Sequence, residues 1–317
     1  MVQIKNYSAA QRLYGYVELM RLIEWSKSLM NMVLASLIAY YVYLAPLNFF
    51  IFVQGFFSVA LLWSGLYAFN DYTDRKIDAL HKVKKFRAIP LGKVGANAGL
   101  IFSLLLMIIG FGLAFGLGNL MLVGCLAAML INQFLYTTKP FRFKSRKYLD
   151  VICGSMVNPF FRYFSGLVLF VPAALMLTAP LPILPIIFVV GIQFGGYFLY
   201  RLFSKGHDLK VKMKSTVALM SEKKVRKISY GIMVIAGLSY LGLLLNGASL
   251  KVSFLGFLPP QYFLALVIIF VLALFMPEIR HAIRKPQKAD MNKSYLSVYV
   301  VNIIFVIGNV AVLLLLP

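Results

Sequence analysis

The chain has 317 residues, 61% of them hydrophobic and only 13% charged, with a net charge of +22 and a mean hydropathy of +0.83. A soluble domain usually carries about 25% charged residues, so this composition excludes one and implies a polytopic membrane protein. The two cysteines, Cys125 and Cys153, lie in apolar stretches without a CxxC or Cys/His spacing and read as buried packing residues.

The first 24 residues are polar and mixed, unlike the short apolar core of a cleavable signal peptide. Hydropathy then predicts nine spans, at 28–45, 48–69, 96–117, 119–137, 150–171, 181–203, 228–246, 260–277 and 296–316. Thirty of the 32 Lys and Arg residues fall in the N-terminal segment and in the segments after spans two, four, six and eight. All of these lie on one side of the membrane. Positive charge is retained on the cytoplasmic face, so the N-terminus is expected inside and the C-terminus outside. The basic balance is thereby assigned to topology and anionic membrane lipid, with no nucleic-acid partner. The expected fold is an all-α membrane bundle of nine transmembrane helices in a single domain, 1–317. Matching polar segments after spans two and six suggest four-helix pseudo-repeats, 28–137 and 150–277, with a ninth helix at 296–316.

The first of those polar segments is "LYAFNDYTDRKIDALHKVKKFRAIPLGKV", residues 66–94, which holds three of the ten acidic residues within eight positions. Asp71, Asp74 and Asp78 follow Asn70 at i, i+3, i+7 spacing. On a helix continuing past Asn70 their side chains fall within about 60° of one another. Like charges on one stripe repel, and the negative end of a helix dipole disfavours them further. A divalent cation relieves both costs. Mg²⁺ prefers carboxylate oxygens and completes its shell with water and substrate phosphate, and Lys82, Lys84, Lys85 and Arg87 follow to neutralise phosphate. The pattern points to a phosphate or diphosphate site; the competing reading is a solvated loop paired with its own lysines.

"NDYTDRKID" at 70–78 resembles the NDxxDxxxD motif of the UbiA family of intramembrane prenyltransferases. The likeness continues through "ALHKVKKFRAIPLG", with Ala88 where the family usually has Pro, and "HDLKVKMKST" at 207–216 resembles the stretch that contains and follows the family's second aspartate motif. The resemblance implies a Mg²⁺-dependent prenyltransferase that carries a polyprenyl group from its diphosphate to a small-molecule or lipid acceptor, in an integral multi-pass cell-membrane protein with its active site on the cytoplasmic side. It implies metal ligation by Asn70, Asp71, Asp74, Asp78 and Asp208, with the four aspartates as catalytic residues. It also implies diphosphate contacts from Lys85 and Arg87. In the second motif, usually DxxxD, Ser204 occupies the first Asp position, so only Asp208 remains; Lys205, Lys210 and Lys214 are candidates to supply phosphate contacts instead.

His207 reads as a ligand, a base or an exposed loop histidine. Tyr72, Tyr163 and Tyr200 are candidate aromatic faces for an allylic cation. Arg162 sits inside span five with Asn158 one turn earlier on the same face. An intramembrane Arg faces a cavity or a partner, so the pair reads either as a contact to a substrate anion or acceptor, or as a hydrogen-bond clamp. "EWSKS" at 24–28 and "DVICGSMVNPFFRYFSG" at 150–166 resemble the superfamily branch that transfers phosphoribose to polyprenyl phosphate, which makes that reaction the main alternative. A carrier or channel is the remote one, because Arg162 is the lone ionisable residue near the centre of a predicted span.

Overall fold

A computed structural model describes residues 7–211, 213–246, 254–284 and 290–315, and these form helices and loops with no strand among them. In chain order the helices are α1 (Ala9–Met20), α2 (Trp25–Tyr43), α3 (Phe49–Asp78), α4 (Ala96–Gly116), α5 (Leu120–Thr137), α6 (Leu149–Ser155), α7 (Val157–Val168), α8 (Ala173–Thr178), α9 (Ile183–Lys210), α10 (Glu222–Asn246), α11 (Phe263–Phe275), α12 (Pro277–Arg284) and α13 (Met291–Leu315). Among the described residues, seven helical segments are long and apolar enough to cross a membrane, counting Ala9–Tyr43 as one. They cover seven of the nine expected spans. The expected spans at 150–171 and 260–277 are instead broken or short.

The break at 150–171 has a chemical cause. Pro159 lacks an N–H and its ring clashes with the carbonyl four residues earlier, so α6 stops at Ser155 and α7 restarts at Val157. The Cys153 carbonyl near that break accepts from the Nδ2 atoms of Asn132, at 2.8 Å, and Asn158, at 3.2 Å. α1, which precedes the first expected span, begins with a capping box in which Ser8 and Gln11 satisfy each other's backbone N–H groups. It ends at Arg21, whose left-handed backbone (φ 50°) turns the chain toward α2.

α3 and α4 pack at backbone distance. A Cβ on Gly65 would lie 2.6 Å from the Ser103 carbonyl oxygen, and one on Gly110 would lie 2.8 Å from that of Ser58. Gly166 lets α7 approach α2 in the same way, with Met32 Cα 2.6 Å from where its Cβ would be. The main core, which includes Met32, Trp63, Tyr163 and Tyr240, forms around these contacts. On its flank the helices enclose a cavity of about 400 Å³, lined from α2, α3, α5, α7, α9 and α13.

Candidate active site

No Gly or Pro interrupts residues 66–78, so α3 runs beyond its apolar portion and ends at Asp78. Arg75 and Lys76 in its last turn favour the negative helix end. Asp71, Asp74 and Asp78 are all buried, and each is met by cations from outside the helix. Arg87 donates from Nη1 to Asp71 at 2.9 Å and to Asp78 at 2.7 Å, bridging the two carboxylates that lie seven residues apart on one face. Arg21 donates to the same Asp71 oxygen at 2.6 Å. Asp74 is offset and belongs to another loop: Lys144 Nζ reaches both of its oxygens at 2.6 Å, and Arg142 reaches one at 3.1 Å. Asn70 Oδ1 accepts from Thr137 at 2.8 Å and from Lys144 at 3.3 Å.

The second polar segment is helical rather than a loop, since α9 continues to Lys210. This carries Asp208 into the cavity wall opposite α3, where it accepts from Arg201 and, at 3.1 Å, from Ser215 Oγ. His207 lines the cavity too, and its ring meets His81 edge to face at 4.5 Å, joining the two motif segments. His81 Nδ1 accepts the backbone N–H groups of Val83 and Lys84. Burial, reinforced by Lys84, His207 and Arg87, holds its pKa down at about 4. Burial also lowers Lys144, to about 8, against the pull of Asp74.

Of the residues singled out from sequence, Asn70, Asp74, Asp78, Arg87, Asn158, Arg162, Tyr200 and Asp208 line the one cavity. Asp71 stands behind it, tied in through Arg87. Lys85 does not reach it: the tight turn at 84–86 points Lys84 inward and leaves Lys85 exposed against Phe86. Lys214 is likewise exposed off the cavity, where Met213 is the lining residue. Tyr163 is fully buried in the helical core, and Tyr72 lies under Arg75 at 4.4 Å, so neither ring faces the cavity. Lys205 donates to the Met220 carbonyl. Ser204 is buried, and among the described residues its hydroxyl has no partner.

Arg21, Arg142, Lys144 and Arg201 were missed as site residues, because in sequence each counts among the topology-setting charges. Asp150 was missed as well. It accepts from the backbone N–H of Thr216 at 3.0 Å and from the Thr216 hydroxyl, pinning the segment after α9 to the start of α6.

Two aspartate-bearing helix ends, face to face over a cavity that runs into an apolar bundle, suit a phosphorylated lipid. A sequence profile of the UbiA prenyltransferase family matches residues 28–304. The chain belongs to that family. Among curated UbiA-related proteins, digeranylgeranylglyceryl phosphate synthase of Methanothrix thermoacetophila is 37% identical over 112 residues, 35% of this chain and 40% of that protein. Protoheme IX farnesyltransferase of Leptospira biflexa is 34% identical over 82 residues, 26% and 29% of the two chains. The matched stretches thus span two-fifths or less of these relatives. A UbiA homologue from Archaeoglobus fulgidus, solved with DMAPP and Mg²⁺, superposes with a TM-score of 0.70 over 95% of this chain and all of its own, at 16% identity, and shares the fold.

Proposed function

We propose that this UbiA family member is a Mg²⁺-dependent intramembrane prenyltransferase that joins a polyprenyl group from its diphosphate to an aromatic or lipid acceptor. The observation that carries the reading is the convergence of Asp74, Asp78 and Asp208, from segments 130 residues apart, on one cavity with Lys84, Arg87 and Arg201. The donor set fits Mg²⁺. Among the described residues no three His, Cys, Asp or Glu side chains form a ready-made ion cage, and Mg²⁺ is commonly bound by one or two carboxylates plus substrate phosphate. Asp74 and Asp78 with Asn70, the first-motif residues that line the cavity, would hold one ion together with substrate phosphate, and Asp208 another, the latter less firmly because Ser204 offers only a neutral hydroxyl. The bound metal would supply positive charge to the diphosphate oxygens.

The rest is work for the chain's own side chains. Lys84, Arg87 and Arg201 stabilise the negative charge that grows on the diphosphate as the allylic C–O bond breaks and the electron pair leaves with oxygen. Tyr200, whose ring stacks edge-on with Tyr295 at 5.0 Å, presents an aromatic wall to the carbocation. The surrounding apolar helices keep water from quenching it. The acceptor forms the new bond and releases a proton.

The distribution of basic segments supports a cavity mouth on the cytoplasmic side with the N-terminus inside. α6 with α7, and α11, complete a nine-crossing single domain over 1–317, readable as halves 28–137 and 150–277. A second reading, phosphoribosyl transfer to polyprenyl phosphate, is favoured by one observation: Lys27 and Arg162, from the two stretches that resemble that branch, both line the cavity. Offering labelled polyprenyl diphosphate and labelled phosphoribosyl diphosphate to the purified protein decides between them, since one alone is consumed. Asp74→Asn and Asp208→Asn should each lower turnover by about a hundredfold or more. Full activity in either variant refutes the transferase reading.

A further inference from the structure

The second motif helix carries a run of unpaired polar atoms. At three-residue steps along α9, Arg201 Nε, Ser204 Oγ and His207 Nε2 are buried and, among the described residues, have no hydrogen-bond partner. His81 Nε2, on the turn after α3, is in the same condition, and its ring meets that of His207 at 4.5 Å. Arg201 and His207 line the cavity, and Ser204 lies between them on the helix. Ser204 is 1% exposed and His81 5%.

The turn decides what His81 offers. Its Nδ1 accepts the backbone N–H groups of Val83, at 3.1 Å, and Lys84, at 3.3 Å, so the ring hydrogen sits on Nε2. That nitrogen is a fixed donor and is closed to a metal. Arg201 Nε–H is a donor in every state, the Ser204 hydroxyl can donate, and His207 supplies an N–H when its ring hydrogen lies on Nε2. Buried donors without acceptors are destabilising, and a group of them along one cavity wall marks where a ligand brings the acceptors. The carboxylates beside them are already matched. Asp208 accepts from Arg201 and Ser215, and Asp78 has Arg87 at 2.7 Å and Lys84 at 4.0 Å. The lysines that the sequence offered as phosphate contacts are placed elsewhere: Lys205 donates to the Met220 carbonyl, and Lys210 and Lys214 are exposed off the cavity.

We propose that Ser204, His207, His81 and the Nε of Arg201 form a metal-independent phosphate subsite, which holds one phosphoryl group of the donor's diphosphate by direct hydrogen bonds where a DxxxD pair would hold it through a second ion. The Ser204 departure is what permits this. A carboxylate at that position would repel the anion, whereas the hydroxyl donates to it. The other phosphoryl group is left to Lys84, Arg87 and the first motif. An ion on Asp208 then adds to an affinity that the side chains already supply. The inference rests on the transferase reading above for the identity of the ligand.

The test titrates full-length protein in detergent with inorganic diphosphate, followed calorimetrically, in EDTA and in Mg²⁺, with inorganic phosphate as a second probe. Wild-type protein should bind diphosphate in EDTA, more tightly than phosphate, and Mg²⁺ should strengthen that binding. Ser204→Ala and His207→Phe should each weaken binding in EDTA by about tenfold, as expected for one lost hydrogen bond to a charged acceptor, and by less in Mg²⁺. Ser204→Asp restores the carboxylate pair, so it should abolish binding in EDTA and make affinity depend more steeply on Mg²⁺, a gain that a misfolded variant cannot show. Wild-type binding that vanishes in EDTA overturns the subsite and leaves the transferase reading standing. So does wild-type affinity in EDTA for Ser204→Ala and His207→Phe, or for Ser204→Asp. Phosphate binding as tightly as diphosphate overturns the assignment to the donor. Wild-type protein that binds no diphosphate in either condition sinks the transferase reading, and this subsite with it.

Discussion

Replacing Arg87 by Met removes the side chain that, among the described residues, bonds both Asp71 and Asp78. Its two charge-assisted bonds, at 2.9 and 2.7 Å, end on carboxylates that are 3% and 4% exposed, while the guanidinium itself is 23% exposed. Bonds to charged groups contribute about 1.5–3 kcal/mol each, and breaking a buried pair from one side costs about 3–5 kcal/mol. Partial exposure of the Arg, and the remaining neighbours Arg21 on Asp71 and Lys84 at 4.0 Å from Asp78, reduce the expected loss to about 2–4 kcal/mol. Thermal unfolding in detergent with EDTA should therefore shift down by several degrees. Added Mg²⁺ should recover more of that shift in the variant than it adds to the wild type, since the ion takes over the charge Arg87 supplied. An Arg87→Met protein that melts at the wild-type temperature in EDTA, or that gains nothing extra from Mg²⁺, refutes the coupling of these carboxylates.

Lowering pH should destabilise the protein through His81. Its folded pKa, about 4, lies below the ordinary value near 6.5, so between those limits the unfolded chain binds the extra proton and stability falls as pH drops. A His81→Gln variant should flatten that part of a melting-temperature profile, and an unchanged slope would reject the assignment. Thr216→Val removes the hydroxyl bond to buried Asp150 and should cost about 1–3 kcal/mol, with faster hydrogen exchange across 213–220 as the local readout. Gly65→Leu drives a side chain into the Ser103 carbonyl and should destabilise the α3–α4 pair by about 1–3 kcal/mol or more, visible as a lower melting temperature; wild-type stability would mean that the helices are less tightly apposed.

The long apolar helices and the acidic end of α3 were legible because each rests on local pattern: hydropathy in the first case, spacing in the second. Asp208 and its place opposite α3 came through resemblance, and the continuous α9 is what brings it there. The cation partners were hidden for a physical reason. Lys144 and Arg201 have the composition of any loop charge; the packing of the segment after α5 against α3 turns Lys144 toward Asp74, and the continuation of α9 to Lys210 brings Asp208 to Arg201. Lys85 illustrates a finer limit, since a tight turn of three residues decides which of two adjacent lysines points inward. Tyr163 fails for the opposite reason: an aromatic residue at helical spacing is equally suited to core and cavity, and here the core takes it. The interruption of the fifth expected span was encoded by Pro159, but hydropathy averages over a proline and cannot register it.

The order in which the acidic partners lie along the chain has a consequence for biogenesis. Arg21, Asp71, Asp78 and Arg87 all precede residue 95, so the first cluster can neutralise itself as soon as α1, α3 and the following turn have emerged from the ribosome. Asp74 must wait for Lys144, and Asp208 brings its own Arg201 from one helical stretch earlier. A nascent chain that has passed residue 95 therefore leaves Asp74 as the α3 carboxylate still waiting for its cation, and an arrested intermediate ending before residue 142 would expose that charge as a handle for quality-control machinery.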